Sequence, residues 1–340
     1  MQRFTGQPLR DGARVALIAN DAIGNFVVAT PLMQMLRQDI RGLHLTLFNG
    51  ERTRELWEAS DLVDLGVPLF GMDPWDTAVE LARHEGFDLV INLEVSPTAV
   101  FATAALSAGE ARVCGPSVGA GGRGTLAYPA DSRGDLWRDS EWIADDLMAR
   151  YPFLSSGWIA EIFCRLAYRE GDIPGYRLPT ADPGRDVPDV LIATAASLPE
   201  KLWPQASWEA ALRGLADRGL SVGLLGAPPR QQQAHWQGGG VEDALVRQGL
   251  AQDLRGAFSL PQVSGALAAA RIVLSLDNGI LHLASATPTP TVGLFRPGIH
   301  RLWAPPKINL AVITPEAADG LVAEISAEKV LLEIDHLTEN

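Results

Sequence analysis

The chain has 340 residues, 47% of them hydrophobic, 20% charged and 7% aromatic, a globular composition with enough length for two domains. Lys and Arg total 28 against 41 Asp and Glu, a formal net charge of -13. That balance argues against a nucleic-acid partner, whose affinity rests on cations displacing counterions from phosphates, and against adhesion to an anionic membrane by bulk charge.

The most apolar early run, Val15 to Ala19, falls short of the roughly 20 residues that span a bilayer. The stretch before it contains Asp11 and has no signal-peptide layout, so the run reads as a buried strand. Cys114 and Cys164 lie among apolar residues without metal-ligand spacing. Both read as reduced core residues, and the expected location is cytoplasmic.

Short apolar runs alternate with longer helical patterns, the mark of a parallel sheet covered by helices on both faces. In the first half, strands are predicted at Arg14 to Ala19, Leu43 to Phe48, Asp88 to Leu93 and Arg112 to Cys114. Helices are predicted near Val27 to Gln38, Arg52 to Ala59, Thr77 to Glu85 and Thr98 to Ser107. From Leu136 to Arg169 the pattern turns helical and aromatic, with Trp137, Trp142, Trp158, Phe163 and Tyr168, and reads as helix packing between domains. Gly171 to Pro188, with four prolines among Asp and Gly, reads as a stiff connector.

Beyond the connector, strands are predicted at Asp189 to Thr194, Ser221 to Leu225, Ile272 to Leu276 and Thr291 to Phe295. Helices follow near Trp208 to Arg218, Val241 to Gln248, Pro261 to Ala270, Leu281 to Ala286 and Ala327 to His336, and Gln231 to Gly240 reads as a mobile surface loop. The expected organisation is a Rossmann-like domain over 1–170, a linker over 171–188 and a second Rossmann-like domain over 189–340. In such a pair the two parallel sheets face each other across a cleft, and ligands of open α/β sheets bind at the carboxyl ends of the strands.

Three loops carry candidate chemistry. In Ser275-Leu-Asp277-Asn278-Gly279-Ile-Leu-His282-Leu-Ala284 an apolar strand runs straight into a helix start, whose unpaired amides suit a phosphate. Asp277 would repel a phosphate, so it either accepts hydrogen bonds from sugar hydroxyls or caps the helix; Asn278 is the other capping candidate. His282, one turn in, is either a packed histidine or a ligand contact. In Thr194-Ala-Ala-Ser197-Leu-Pro199-Glu-Lys201-Leu-Trp203-Pro204, hydroxyls and a lysine follow a strand end. Such a group can hold a diphosphate and neutralise the charge that grows as it departs, although a surface role for the lysine fits the pattern as well. The chain has only three lysines, Lys201, Lys307 and Lys329. The first βα loop, Asn20-Asp21-Ala-Ile23-Gly24-Asn25, contains glycine but not G-x-G-x-x-G, which disfavours a nicotinamide-dependent oxidoreductase.

Together these segments resemble glycosyltransferase family 9, the ADP-heptose:lipopolysaccharide heptosyltransferases, two-domain enzymes of the GT-B fold. The resemblance runs from Ile23-Gly24-Asn25 and Thr30-Pro31-Leu32 through Lys201-Leu-Trp203-Pro204 and the strand ending at Gly226 to Leu294-Phe295-Arg296-Pro297. Its most specific piece is Asp277-Asn278-Gly279-Ile-Leu-His282-Leu-Ala284, which is similar to the family's Asp-Thr-Gly-Pro-Met-His-Leu-Ala.

The resemblance implies a metal-independent, cofactor-free transfer that inverts the anomeric centre of a nucleotide sugar, with ADP-heptose as donor and a glycan, glycolipid or other hydroxyl as acceptor, in cell-surface glycan synthesis. No nucleic acid and at most peripheral contact with the inner face of a membrane are expected. It implies that Lys201 stabilises the departing diphosphate with Thr194 or Ser197 and the amides of Asn278 and Gly279, that Asp277 holds the sugar, and that His282 belongs to the donor site. Similar family members carry aspartate, the proposed general base, where this chain has Asn25 beside Gly24. An amide cannot take that proton. Asp21 is the nearest substitute, Glu94 at a strand end the second, and a nucleotide-sugar-binding protein without turnover is the alternative. Residues 1–170 hold no lysine, and Arg52, Arg54, Arg112 and Arg123 are the candidates for a local anion site on the acceptor side.

Overall fold

The computed structural model describes residues 1–232 and 237–339; of the loop expected over Gln231 to Gly240, residues 233–236 lie outside the described residues. The chain forms two compact units, Met1–Pro179 and Thr180–Asn340. The stretch Gly171 to Pro188 is therefore not a free connector, because each half docks on its own unit. Arg165 donates to the Gly171 carbonyl at 2.8 Å, Gln34 to the Gly175 carbonyl at 2.8 Å, and the Arg177 amide to Thr30 Oγ1 at 3.2 Å. On the other side the Ala181 amide donates to the Pro261 carbonyl at 2.9 Å.

The first unit runs β1 (Gln2–Arg3), β2 (Arg14–Ile18), α1 (Ile23–Asp39), β3 (His44–Gly50), α2 (Arg54–Glu58), β4 (Leu65–Phe70), α3 (Pro74–Leu81), β5 (Leu89–Asn92), α4 (Pro97–Leu106) and β6 (Arg112–Cys114). Three short helices follow, α5 (Ser132–Arg138), α6 (Leu147–Arg150) and α7 (Ile159–Leu166). The all-parallel sheet is ordered β4-β3-β2-β5-β6-β1. Its central strands are apolar and buried on both faces, as helices on either side require. Helix starts are written in the sequence. Asp73 caps α3 and Ser96 caps α4, each followed by a proline whose missing N–H would have had no partner there.

Two expectations change here. Ile23, Gly24 and Asn25 are not loop residues; they form the first turn of α1, with the Asn25 amide bonded to the Ala22 carbonyl at 3.0 Å. The aromatic stretch packs within the first unit. Tyr128 stacks on Trp137 at 5.8 Å, Trp142 and Phe163 continue the series, and α7 lies against α1.

The second unit runs β7 (Val190–Ala193), α8 (Gln205–Asp217), β8 (Val222–Leu224), α9 (Pro229–Gln232), α10 (Gly239–Arg247), β9 (Gln252–Asp253), α11 (Leu260–Ala269) and β10 (Ile272–Leu276). It closes with α12 (Gly279–Ser285), β11 (Thr291–Leu294), α13 (Ile299–Trp303), β12 (Leu310–Ile313) and α14 (Ala327–Glu339). This sheet, also all parallel, is ordered β9-β8-β7-β10-β11-β12. Numbered within the unit, that is the 3-2-1-4-5-6 order of a Rossmann fold. The first unit reproduces 3-2-1-4-5 and fills the sixth place with its own N-terminal strand. In each unit the strand order reverses at one point, between β2 and β5 and between β7 and β10, and there the outward-turning loops leave a crevice.

Cys114 and Cys164 are free and buried, and burial pushes both thiols up to about 12, which leaves them chemically quiet. No helix among the described residues is long and apolar enough to cross a membrane.

Candidate functional site

The candidate residues fall at the two reversal points. In the second unit, β7 leads to a turn at Pro199–Lys201, anchored by Trp203, whose ring nitrogen donates to the Ile325 carbonyl at 2.8 Å and whose ring packs edge-on against Trp208 at 4.9 Å. This fixed segment brings the Lys201 ammonium to the end of β10. Nζ lies 2.7 Å from Asp277 Oδ2 and 3.4 Å from the Asp277 carbonyl, with 17% of the lysine side chain exposed and 5% of the aspartate. Such a pair holds a cation in place while leaving part of it open to a ligand.

Asp277 is not the helix cap. Its amide is spent on the Leu294 carbonyl at 3.2 Å, and Asn278 caps α12, its Oδ1 accepting from the amides of Ile280 and Leu281. The same side chain reaches across the crevice, Nδ2 donating to the Ala195 carbonyl at 2.9 Å. Asn278 thus ties the end of β7 to the start of α12, and Gly279 opens that helix beside it.

His282 is buried against Trp303, the rings 5.8 Å apart and edge-on. Burial lowers its pKa to about 4, with the nearby Asp277 carboxylate raising it and Lys201 lowering it, so the imidazole is neutral at physiological pH.

Thr194 is placed differently from the expectation. Its hydroxyl donates to Glu242 at 3.1 Å within a buried group in which Arg255 pairs with Glu242, Asp243 and Asp253. A hydroxyl committed to a buried carboxylate is poorly placed to hold a diphosphate. Ser197 is exposed on the loop between β7 and Lys201. The buried Glu242–Arg255 pair, 13 residues apart, was not legible as a partnership, since nothing in its local pattern separates it from surface charge. Arg296 was also missed; it pairs with Glu200 at 3.3 Å, next to Lys201 in the chain.

In the first unit, Asn20, Asp21 and Asn25 follow β2, and Glu94 follows β5. Glu94 Oε1 accepts from the Asn20 amide at 3.2 Å and from Asn25 Nδ2 at 3.3 Å, while the Glu94 amide donates to Asn92 Oδ1 at 2.8 Å. Burial raises the Glu94 pKa above the usual carboxylate range; hydrogen bonds from Asn20 partly oppose this and the charge of Asp21 adds to it. Asp21 instead faces Arg52, 3.6 Å away. Gly50 makes room for it, since a methyl group there would sit 2.2 Å from Asp21 Cβ. Of the four arginines, Arg54 pairs with Glu51 and Glu58 and Arg52 with Asp21, Arg112 lies in β6 and Arg123 is exposed.

Two parallel α/β units, each with polar side chains converging at its strand-order reversal, define a protein built to hold a ligand at Rossmann-type crevices. Residues 175–324, nearly the whole of the second unit, match the family model of glycosyltransferase family 9 (heptosyltransferase). The chain is similar to lipopolysaccharide heptosyltransferase 1 of Pseudomonas aeruginosa, 33% identical over 122 residues, 36% of this chain and 32% of that protein. The match thus spans about a third of that relative's length. Among solved structures, the glycosyl transferase family 9 protein of Veillonella parvula superposes with a TM-score of 0.72 at 15% identity, covering 98% of this chain and 99% of that one. The ADP-heptose lps heptosyltransferase II of E. coli superposes with 0.69 at 17% identity, covering 96% and 98%. The fold is shared over nearly the whole chain.

Proposed function

We propose that the protein is a glycosyltransferase that moves a heptose from ADP-heptose to a hydroxyl of a lipopolysaccharide precursor. The observation that carries this reading is the Lys201–Asp277 pair at the opening of α12, inside the stretch that matches the family. The donor is named by likeness to the heptosyltransferases above.

In this reading the acceptor oxygen attacks the anomeric carbon from the face opposite the diphosphate, the configuration inverts, and the electron pair of the breaking C–O bond leaves with ADP. Lys201 meets the charge gathering on the diphosphate, a role that a partly exposed ammonium on a rigid turn can fill without a metal ion. Removing one such preorganised contact typically costs about 10² to 10³ in kcat. Asp277 keeps the ammonium in register and has its carboxylate beside the place of the sugar hydroxyls; Ser197 and the backbone at Asn278 and Gly279 line the same approach. The neutral His282 supports the helix start from behind and carries no charge to the donor. Work at a cytoplasmic membrane face, where such precursors reside, belongs to the same proposal.

Lys201→Ala is expected to lower heptose transfer by about 10² to 10³ and to weaken ADP binding measured by calorimetry. A variant with unchanged kcat and unchanged ADP affinity removes the lysine from the leaving-group role. Asn25, at the position where family resemblance leads to an aspartate, favours a second reading, a nucleotide-sugar-binding protein without turnover. Tight ADP binding with no release of ADP from ADP-heptose, across a panel of lipopolysaccharide precursors, is its signature.

A further inference from the structure

A sugar hydroxyl titrates far above neutrality, so its attack on an anomeric carbon needs a group that takes the proton as the new bond forms. Only some carboxylates suit that task. One that faces a guanidinium has its oxygens engaged by that partner; one that is half-buried, unpaired with a cation and fixed in direction is the better placed base. Asp21 is of the first kind, 3.6 Å from Arg52. Glu94 is of the second: half-buried, and in no ion pair among the described residues.

Glu94 also occupies the right place in the fold. It follows β5 at the strand-order reversal of the first unit, where ligands of open α/β sheets bind. Two donors from the neighbouring β2–α1 segment, the Asn20 amide and Asn25 Nδ2, converge on its Oε1. Fixing one oxygen sets the plane of the carboxylate and leaves Oε2 as the atom that a hydroxyl would address. An asparagine is the right partner for this arrangement, since its amide nitrogen donates to a carboxylate. An aspartate at position 25 would set a second negative charge about 3 Å away and hinder ionisation of both.

We propose that Glu94 accepts the proton of the acceptor hydroxyl and that Asn25 is its positioning residue. The step balances as follows: the acceptor O–H bond breaks, its oxygen forms the bond to the anomeric carbon, the proton passes to Glu94, and the electron pair of the donor C–O bond leaves with the nucleoside diphosphate. The inference rests on the glycosyl-transfer reading above. The charged groups facing Glu94 are Asp21 and, paired with it, Arg52; Asn20 and Asn25 are its neutral neighbours.

The test uses the full chain with ADP-heptose as donor and a heptose-free lipopolysaccharide as acceptor, with ADP release and calorimetric ADP affinity read in parallel. Glu94→Gln, which keeps shape and size, is expected to lower kcat by about 10² to 10⁴ with ADP affinity unchanged. The acidic limb of the wild-type pH–rate profile is expected to vanish in that variant and to move to lower pH in Asp21→Asn, where a neighbouring negative charge is gone. Asn25→Ala is expected to lower kcat by about tenfold with little change in KM. Wild-type turnover that survives in Glu94→Gln with its acidic limb intact overturns the assignment while leaving the transfer reading standing. A wild-type protein that neither binds ADP nor turns over overturns both.

Discussion

At the end of β10 in the second unit a carboxylate meets a cation, and at the end of β5 in the first unit a carboxylate meets two amides. The strand order around the two positions is the same, so topology supplies the crevice in both cases and the side chains decide its electrostatics. The second unit backs its crevice with paired charge: the partly exposed Lys201 on Asp277, and the buried Glu242 held by Arg255 and the Thr194 hydroxyl. The first unit backs its own with neutral polar groups, Asn20, Asn25, Asn49 and Asn92, the last donating to the Pro116 carbonyl at 2.9 Å. A site that must meet growing negative charge benefits from a fixed cation. A site that must take up a proton benefits from a carboxylate left partly desolvated.

Charge deletions are expected to hurt the second unit far more than comparable changes hurt the first. The largest effect is expected for Arg255→Ala, which takes the guanidinium away from the fully buried Glu242 carboxylate. A loss of about 3 to 5 kcal/mol in urea unfolding of the second unit is expected, and a change under 1 kcal/mol would show that water or rearrangement compensates there.

Next comes the response to acid. His282 is held at about 4 in the folded chain against an ordinary 6.5. At neutral pH both states carry a neutral ring, so it contributes no pH dependence there. As pH falls from about 6.5 to 4 the unfolded chain takes the proton first, and the folded state loses on the order of 3 kcal/mol. Unfolding midpoints at pH 7, 5.5 and 4 should decline less steeply in His282→Gln than in the parent; identical slopes would place the acid sensitivity elsewhere.

The smallest effects sharpen the comparison at matched positions. Asn278→Ala removes a helix cap and the bridge to Ala195, for about 1 to 2 kcal/mol, and Asn278→Ser should restore the capping share alone. Asn25→Ala in the first unit has no cap to lose, and its unfolding free energy should stay within about 0.5 kcal/mol of the parent. Equal losses at the two asparagines would erase the distinction between the crevices.

The same comparison explains what could be seen in the sequence. The central strands were legible because burial on both faces writes continuous apolar runs such as Ile272 to Leu276. The four strands that went unread, β1, β4, β9 and β12, are the four sheet edges. Gln252 and Asp253 are exposed and polar, β4 contains Gly66 and Pro68, and β12 is half-exposed, so none carries an apolar run. At the sites, strand-to-helix junctions marked Lys201, Asp277 and Asn278 as candidates. Their partnerships were hidden, since Lys201 and Asp277 are 76 residues apart and Asn25 and Glu94 are 69 apart, joined only by the crossovers between parallel strands. Asp21 is the nearer candidate base in sequence, and sequence distance says nothing about Arg52 standing beside it.

The N-terminal strand has a consequence for how the first unit is made. Gln2 and Arg3 pair with Arg112 and Val113, the Phe4 amide donates to the Val113 carbonyl at 2.9 Å, and the Arg3 side chain grips the carbonyls of Gly115, Leu126 and Ala127. During synthesis Gln2 and Arg3 emerge more than a hundred residues before their partners in β6, so this edge of the sheet is sealed late. Until then, or after clipping ahead of Phe4, the flank of β6 is bare and open to strand-to-strand association between molecules.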